Sequence, residues 1–187
     1  MECSSMEDNK PEWPPLLEPG LFPMTIEEVR AICVDAFPTS ERRPLIMKGL
    51  LGVIGQLDAS KINAEIWLDG SFLTKKIEPD DVDLVLVFNG EILESGTEKM
   101  TSLLVSFNDT GIFNQFYCHT FVCPQYPDSD DEFLKEQCEK NLLYWKKLFG
   151  FSRGNDEGGN RVNDGVYKGI ALVSTPTKTG MSTGRLQ

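Results

Sequence analysis

The stretch that most constrains the fold is Val82 to Phe88, VDLVLVF. From Leu84 onward every position in it is apolar. A strand with one wet face alternates apolar and polar residues. An unbroken apolar run needs cover on both faces and belongs inside a sheet. A chain containing it has to fold as sheet plus helices, and the expected class is α/β. Asn89-Gly90 ends the run. Two carboxylates head it: Asp81 and Asp83 are two apart, so on a strand both leave the same face. Asp83 sits between Val82 and Leu84 at the start of a buried strand, where a carboxylate is costly unless it is paired or on a metal. Two convergent carboxylates are hard oxygen ligands suited to Mg²⁺ or Mn²⁺.

Upstream lies a second, shorter apolar strand, Ile66-Trp67-Leu68, followed by a tight Asp69-Gly70-Ser71 turn and a basic connector carrying Lys75 and Lys76. Gly70 lets the backbone come close to a bound group without a side chain in the way. Ser71 and the amides after it open a helical turn whose free N–H groups favour a phosphate, or serve as an ordinary turn. Lys75 and Lys76 read either as counter-charges for that phosphate or as exposed connector lysines. Glu78-Pro79-Asp80-Asp81 is turn-like, with Asp80 serving the turn.

The remaining elements frame these two strands. Residues 1–23 hold Pro11, Pro14, Pro15, Pro19 and Pro23 and read as an extended arm, pinned by Trp13, Leu16 and Leu17 or loose. Thr25-Ile-Glu-Glu28 is a capping box that starts a helix, stopped by Pro38. A second helix is expected from about Ser40 to Leu57, with Gly49, Gly52 and Gly55 letting it pack closely on the sheet. Arg42 and Arg43 in its first turn oppose the helix dipole and read as a solvated surface pair, with an anion or partner contact as the other reading. Glu91–Phe107 is expected as one helix and Gln115–Cys123 as an aromatic strand ended by Pro124. Asp128–Phe149 is expected as a helix capped by Gly150, and Tyr167–Val173 as a last strand. The Gly- and Asn-rich stretch from Ser152 to Gly165 reads as a loop and 174–187 as a flexible tail. One domain, 24–173, holds everything between arm and tail.

Composition narrows the function classes. A formal net charge of −11 repels nucleic-acid phosphates over most of the surface, so bulk nucleic acid is not an expected partner. No apolar run has membrane-spanning length and the acidic start is unlike a secretory signal. The five cysteines form no CxxC pair and read as reduced thiols of a cytoplasmic protein.

Gly70-Ser71, followed about ten residues later by Asp81-Val82-Asp83, resembles the core motif of the DNA polymerase β-type nucleotidyltransferase superfamily. More widely, Leu21-Phe22-Pro23-Met24-Thr25, Trp67-Leu68-Asp69-Gly70-Ser71-Phe72, Asp81-Val82-Asp83-Leu84, Phe149-Gly150-Phe151-Ser152-Arg153 and Lys168-Gly169-Ile170 are similar to a group of small, mostly bacterial and phage-borne single-domain proteins with that fold. The resemblance implies a short mixed sheet backed by helices. It implies Asp81 and Asp83 as metal-holding catalytic residues, Gly70 and Ser71 on the triphosphate, and a third carboxylate on a later strand. In this chain that strand carries His119, which reads as the third catalytic position or as a hydrogen-bonded strand histidine. Arg153 and Lys168 read as residues reaching the same cleft or as surface charges.

Two functions follow as expectations. The first is Mg²⁺- or Mn²⁺-dependent transfer of a nucleoside monophosphate from a nucleoside triphosphate to a hydroxyl. The second is a catalytically reduced module that binds a nucleotide or a partner protein, as in toxin–antitoxin or phage-defence systems. At 187 residues the chain is expected to be without the extra helical domain of larger superfamily members, so that a partner would supply that surface or the acceptor would be small.

Overall fold

The computed structural model describes residues 13–107, 116–152, 154–155, 161–162 and 166–175. In chain order the elements are β1 (Gly20–Pro23), α1 (Ile26–Arg30), which runs on as a π-helical segment (Ala31–Asp35), α2 (Arg42–Ala59) and β2 (Ala64–Asp69). A 3-10 turn (Ser71–Leu73), β3 (Val82–Asn89), α3 (Ile92–Ser95), α4 (Glu98–Ser106), β4 (Cys118–Gln125) and α5 (Glu132–Phe149) follow. The two-residue strands β5 (Gly154–Asn155) and β6 (Arg161–Val162) pair with each other, and β7 (Gly169–Ser174) comes last.

The main sheet is five-stranded and mixed, in the order β1-β7-β2-β3-β4. β2 is antiparallel to both its neighbours, while β1 runs parallel to β7 and β4 parallel to β3. The α/β class is therefore as expected, and the apolar run of β3 does lie between two strands with both faces covered. Alternation sends Ile66, Leu68, Leu84, Leu86 and Val173 to one side, into a core with Val29 of α1 and Ile46, Leu50, Val53 and Leu57 of α2. Trp67, Val85, Cys123 and Ile170 face the other side, where Leu142, Trp145 and Phe149 of α5 cover them.

Local signals explain where several elements start. Thr25 accepts from the Glu28 amide at 3.2 Å and Glu28 accepts from the Thr25 amide at 2.7 Å, the reciprocal pair that opens α1. Asp131 accepts from the Phe133 and Leu134 amides and caps α5. Close packing through glycine holds at two of the three positions in α2. A Cβ on Gly49 would stand 1.7 Å from the Phe116 carbonyl oxygen and one on Gly52 2.5 Å from the Phe116 ring, whereas Gly55 faces open space.

Four expectations need correction. The single helix over 91–107 is broken at Gly96-Thr97: Gly96 is extended and Thr97 caps a new helix by accepting from the Met100 amide. Pro124 does not end β4, which runs on to Gln125 opposite Asn89; β4 is an edge strand, and there a missing N–H can face away from the ladder. The end of the arm is a strand of the sheet. Leu16 donates to the Leu73 carbonyl at 2.9 Å, the Lys75 amide to Pro14 at 2.8 Å, and Leu16 and Leu17 pack on the core, while Trp13 stays exposed. Residues 1–12, 176–187 and most of the 152–165 loop lie outside the described residues.

The fourth correction is Arg43, which is not a surface residue: it is 0% exposed. Its guanidinium donates to five backbone carbonyls, those of Cys33 (2.7 Å), Phe72 (2.8 Å), Thr74 (2.7 Å), Lys76 (2.6 Å) and Ile77 (3.3 Å). The Phe37 ring lies 3.6 Å beneath it. The loop that leaves the Gly70 turn is thus wrapped around a cation. Glu78 then resolves the dipole conflict at the start of α2. Its carboxylate accepts from the Glu41 and Arg42 amides and the Ser40 hydroxyl, which holds its pKa below the usual carboxylate range.

Among the described residues no helix is long and apolar enough to cross a membrane. Cys33, Cys118, Cys123 and Cys138 are free, buried thiols.

Candidate functional site

Register brings Asp83 and His119, both expected at the site, into one row with Asp69, which was not. Asp69 of β2 pairs with Asp83 of β3, and Asp83 pairs with His119 of β4. All three fall on the α5 side, because they alternate with Leu68, Leu84 and Thr120 and continue the line of Trp67, Val85 and Phe121. The row crosses the end of the sheet where the chain turns through Gly70.

Gly70 has φ 83° and ψ −167°, a backbone state that L side chains rarely adopt. Its missing side chain also makes room. A Cβ there would lie 2.6 Å from Asp83 Oδ2, so the carboxylate rests against the bare face of the turn. On its other side Asp83 Oδ1 is 3.4 Å from His119 Nδ1. The Asp83 side chain is 31% exposed and that of His119 56%, so both remain open to solvent. His119 also stacks on Phe121, with ring centroids 4.6 Å apart, and Phe121 on Trp145 at 4.8 Å. Trp145 of α5 packs on the core on that side of the sheet.

Asp81 is half-buried and immediately precedes β3 rather than lying on it. It is close enough to Cys118 that its charge, after burial, helps push that thiol up to about 12. Ser71 opens the 3-10 turn, and its carbonyl accepts from the Thr74 hydroxyl at 2.8 Å. Of the connector lysines, Lys76 pairs with Asp80 at 2.7 Å, while the backbone amide of Lys75 donates to the Pro14 carbonyl and its side chain is exposed. Arg153 lies outside the described residues.

Lys168 does reach the row, through a residue that the sequence reading placed in a turn. Its ammonium is 2.8 Å from Asp69 Oδ2, with side chains only 11% and 6% exposed. The other Asp69 oxygen, Oδ1, is buried with no hydrogen-bond partner. Burial dominates here and pushes the Asp69 carboxyl up to about 6. The charge and hydrogen bond of Lys168 and the nearby Gly70 amide pull it down, and the Asp83 charge pushes it further up. Nothing in the sequence distinguished Asp69 from a turn aspartate except its place directly before Gly70.

This gives a pH signature. The folded carboxyl holds its proton more tightly than a free one, so its contribution to stability is present at low pH and is lost as pH rises through about 6. Unfolding free energy is expected to fall less, or rise more, with pH for Asp69→Asn than for the wild type between pH 3.8 and about 6. Equal slopes would mean that no buried carboxyl titrates at this position.

Among the described residues no group of three or more His, Cys, Asp and Glu side chains is arranged to hold a metal ion on its own. Mg²⁺ asks for less, typically one or two carboxylates with substrate phosphates completing the shell. Asp83 on β3 and Asp81 just before it carry hard oxygen donors of the kind that Mg²⁺ takes.

Residues 11–174 match a family whose description is "Family of unknown function (DUF6932)". No curated protein and no solved structure matches the chain.

Proposed function

The chain belongs to the DUF6932 family, whose description assigns no activity, so the site has to supply one, and we propose a nucleotidyltransferase of the polymerase β type. It would move a nucleoside monophosphate from a nucleoside triphosphate to a hydroxyl. The observation that carries the reading is Asp83 set against the Gly70 turn, 2.6 Å from where a Cβ would stand. That juxtaposition supports the reading by setting the second acid of Asp81-Val82-Asp83 against the Gly70-Ser71 turn.

Each residue has a defined task. Asp81 and Asp83 would hold Mg²⁺ or Mn²⁺, an ion that would supply positive charge against the triphosphate and the acceptor oxygen. The Gly70–Leu73 turn offers its backbone to the outer phosphates, with no Cβ to block their approach. The acceptor oxygen forms a bond to the α-phosphorus, the bond to the bridging oxygen breaks, and pyrophosphate leaves with that electron pair. His119, solvent-accessible and 3.4 Å from Asp83, is the neighbouring group placed to take the acceptor proton.

The second reading, a module that binds a nucleotide or a partner protein without turnover, is favoured by one observation. The β4 position beside Asp83 is an imidazole and not a third carboxylate. The two readings separate when the protein is incubated with each labelled nucleoside triphosphate, Mg²⁺ or Mn²⁺, and a lysate. Label transfer is expected, and Asp83→Ala should lower it at least about a hundredfold, the scale for losing an electrostatic group at the reacting centre. Metal-dependent nucleotide binding without transfer would sink the enzyme and leave the binding module.

A further inference from the structure

We propose that the outer face of α5 pairs, in antiparallel fashion, with the same face of a second copy of the chain. The inference is independent of the transfer reading. Leu142, Trp145 and Phe149 turn one side of α5 to the sheet, with Cys138 buried on the same line. At 3.6 residues per turn the opposite side carries Phe133, Glu136, Lys140 and Leu143, with Tyr144 beside them. Their spacing of three, four and three is that of a seam between two helices. Phe133, Leu143 and Tyr144 are each more than half exposed. Single exposed apolar side chains are ordinary, but three along one line of one helix form a patch.

Charge selects both the occupant and its direction. The chain as a whole carries −11, so two copies repel each other over most of their surfaces. α5 departs from that balance, with four lysines against three glutamates. It is also polarised along its length: Asp130 and Asp131 precede it, and Lys146 and Lys147 stand in its last turn. Parallel pairing would set acid on acid. A two-fold axis midway between Glu136 and Lys140 sets unlike on unlike. Glu136 of each copy then faces Lys140 of the other, Phe133 faces Leu143, and the acidic entry faces the basic end. The helix dipoles oppose favourably as well. Within one chain Lys140 Nζ is 2.8 Å from Glu136 Oε1, and pairing joins two such bridges into one four-charge cluster. One helix pair lies at the low end of specific interfaces, so the dimer is expected to be weak and concentration-dependent.

Sedimentation equilibrium of the purified full chain tests this. The wild type should dimerise. Glu136→Lys and Lys140→Glu should each weaken the dimer at least about tenfold, because each creates two like-charge contacts across the axis. Both positions are exposed, so neither change disturbs the core. An equimolar mixture of the two variants should regain the wild-type affinity, since every altered side chain then meets its opposite. Phe133→Ser should weaken the dimer without that rescue. A wild type still monomeric at about 1 mM overturns the proposal. So does a dimer that both charge reversals leave unchanged, which would pair through another surface. Variants that fail to recover on mixing overturn the antiparallel register and the proposal with it.

Discussion

Arg43→Ala is expected to cost the folded state at least about 3 kcal/mol, since each buried carbonyl left unsatisfied costs about 1–3 kcal/mol. The guanidinium serves five of them: Cys33, Phe72, Thr74, Lys76 and Ile77. Against a total stability of about 5–15 kcal/mol for a typical domain, that is a large share. Burial pulls the Arg43 pKa down and the nearby Cys33 and Glu78 pull it back up. An arginine stays charged in such a place. Lysine should recover less than half of the loss, because three donors on a point charge cannot reach a planar ring of five acceptors. Urea unfolding followed by tryptophan fluorescence reads this directly. An alanine variant within about 1 kcal/mol of the wild type, well inside the cost of one unsatisfied group, would show that the loop holds its shape unaided.

Gly70→Ala should be the most damaging single methyl at the site. The backbone at φ 83° disfavours any L side chain, a strain of about 1–3 kcal/mol. The added carbon also meets Asp83 Oδ2 at 2.6 Å, closer than real Cβ contacts come. Either Asp83 turns away or the 3-10 turn shifts, and both separate the acid from the backbone proposed to meet the phosphates. A displacement of about 1 Å in such a constellation costs about a hundredfold in rate. Label transfer should therefore fall by about that factor, with a lower unfolding midpoint alongside. Full transfer activity in Gly70→Ala would mean that the turn and Asp83 do not act together.

These two residues mark the boundary of what sequence can disclose. Gly70 was legible because its neighbours Ser71, Asp81 and Asp83 form a spaced pattern, and a pattern survives without coordinates. Thr25 with Glu28 and the unbroken apolar run of β3 were legible for the same reason: each signal is local. Arg43 was not. A charged residue in a first helical turn looks solvated until three-dimensional structure shows carbonyls from residues ten and some thirty positions away converging on it. Asp69 was missed similarly, since its partner Lys168 is ninety-nine residues distant. The break at Gly96-Thr97 was in principle readable, as Thr97 is an ordinary cap residue, but the continuous apolar spacing around it masked the signal. The continuation of β4 through Pro124 depended on knowing that β4 is an edge.

The middle strand of the sheet has a temporal consequence. β2 gains one neighbour from residues 82–89 soon after it is made, but its other neighbour is β7, at 169–174. Among the described residues, β7 in turn is the strand through which β1, near the start of the chain, joins the sheet. On the ribosome, β2 and β1 therefore wait with open hydrogen-bonding edges until almost the whole domain has been synthesised. Nascent chains halted before Gly169 should be prone to self-association and protease attack, and protection should appear abruptly once that last strand clears the exit tunnel.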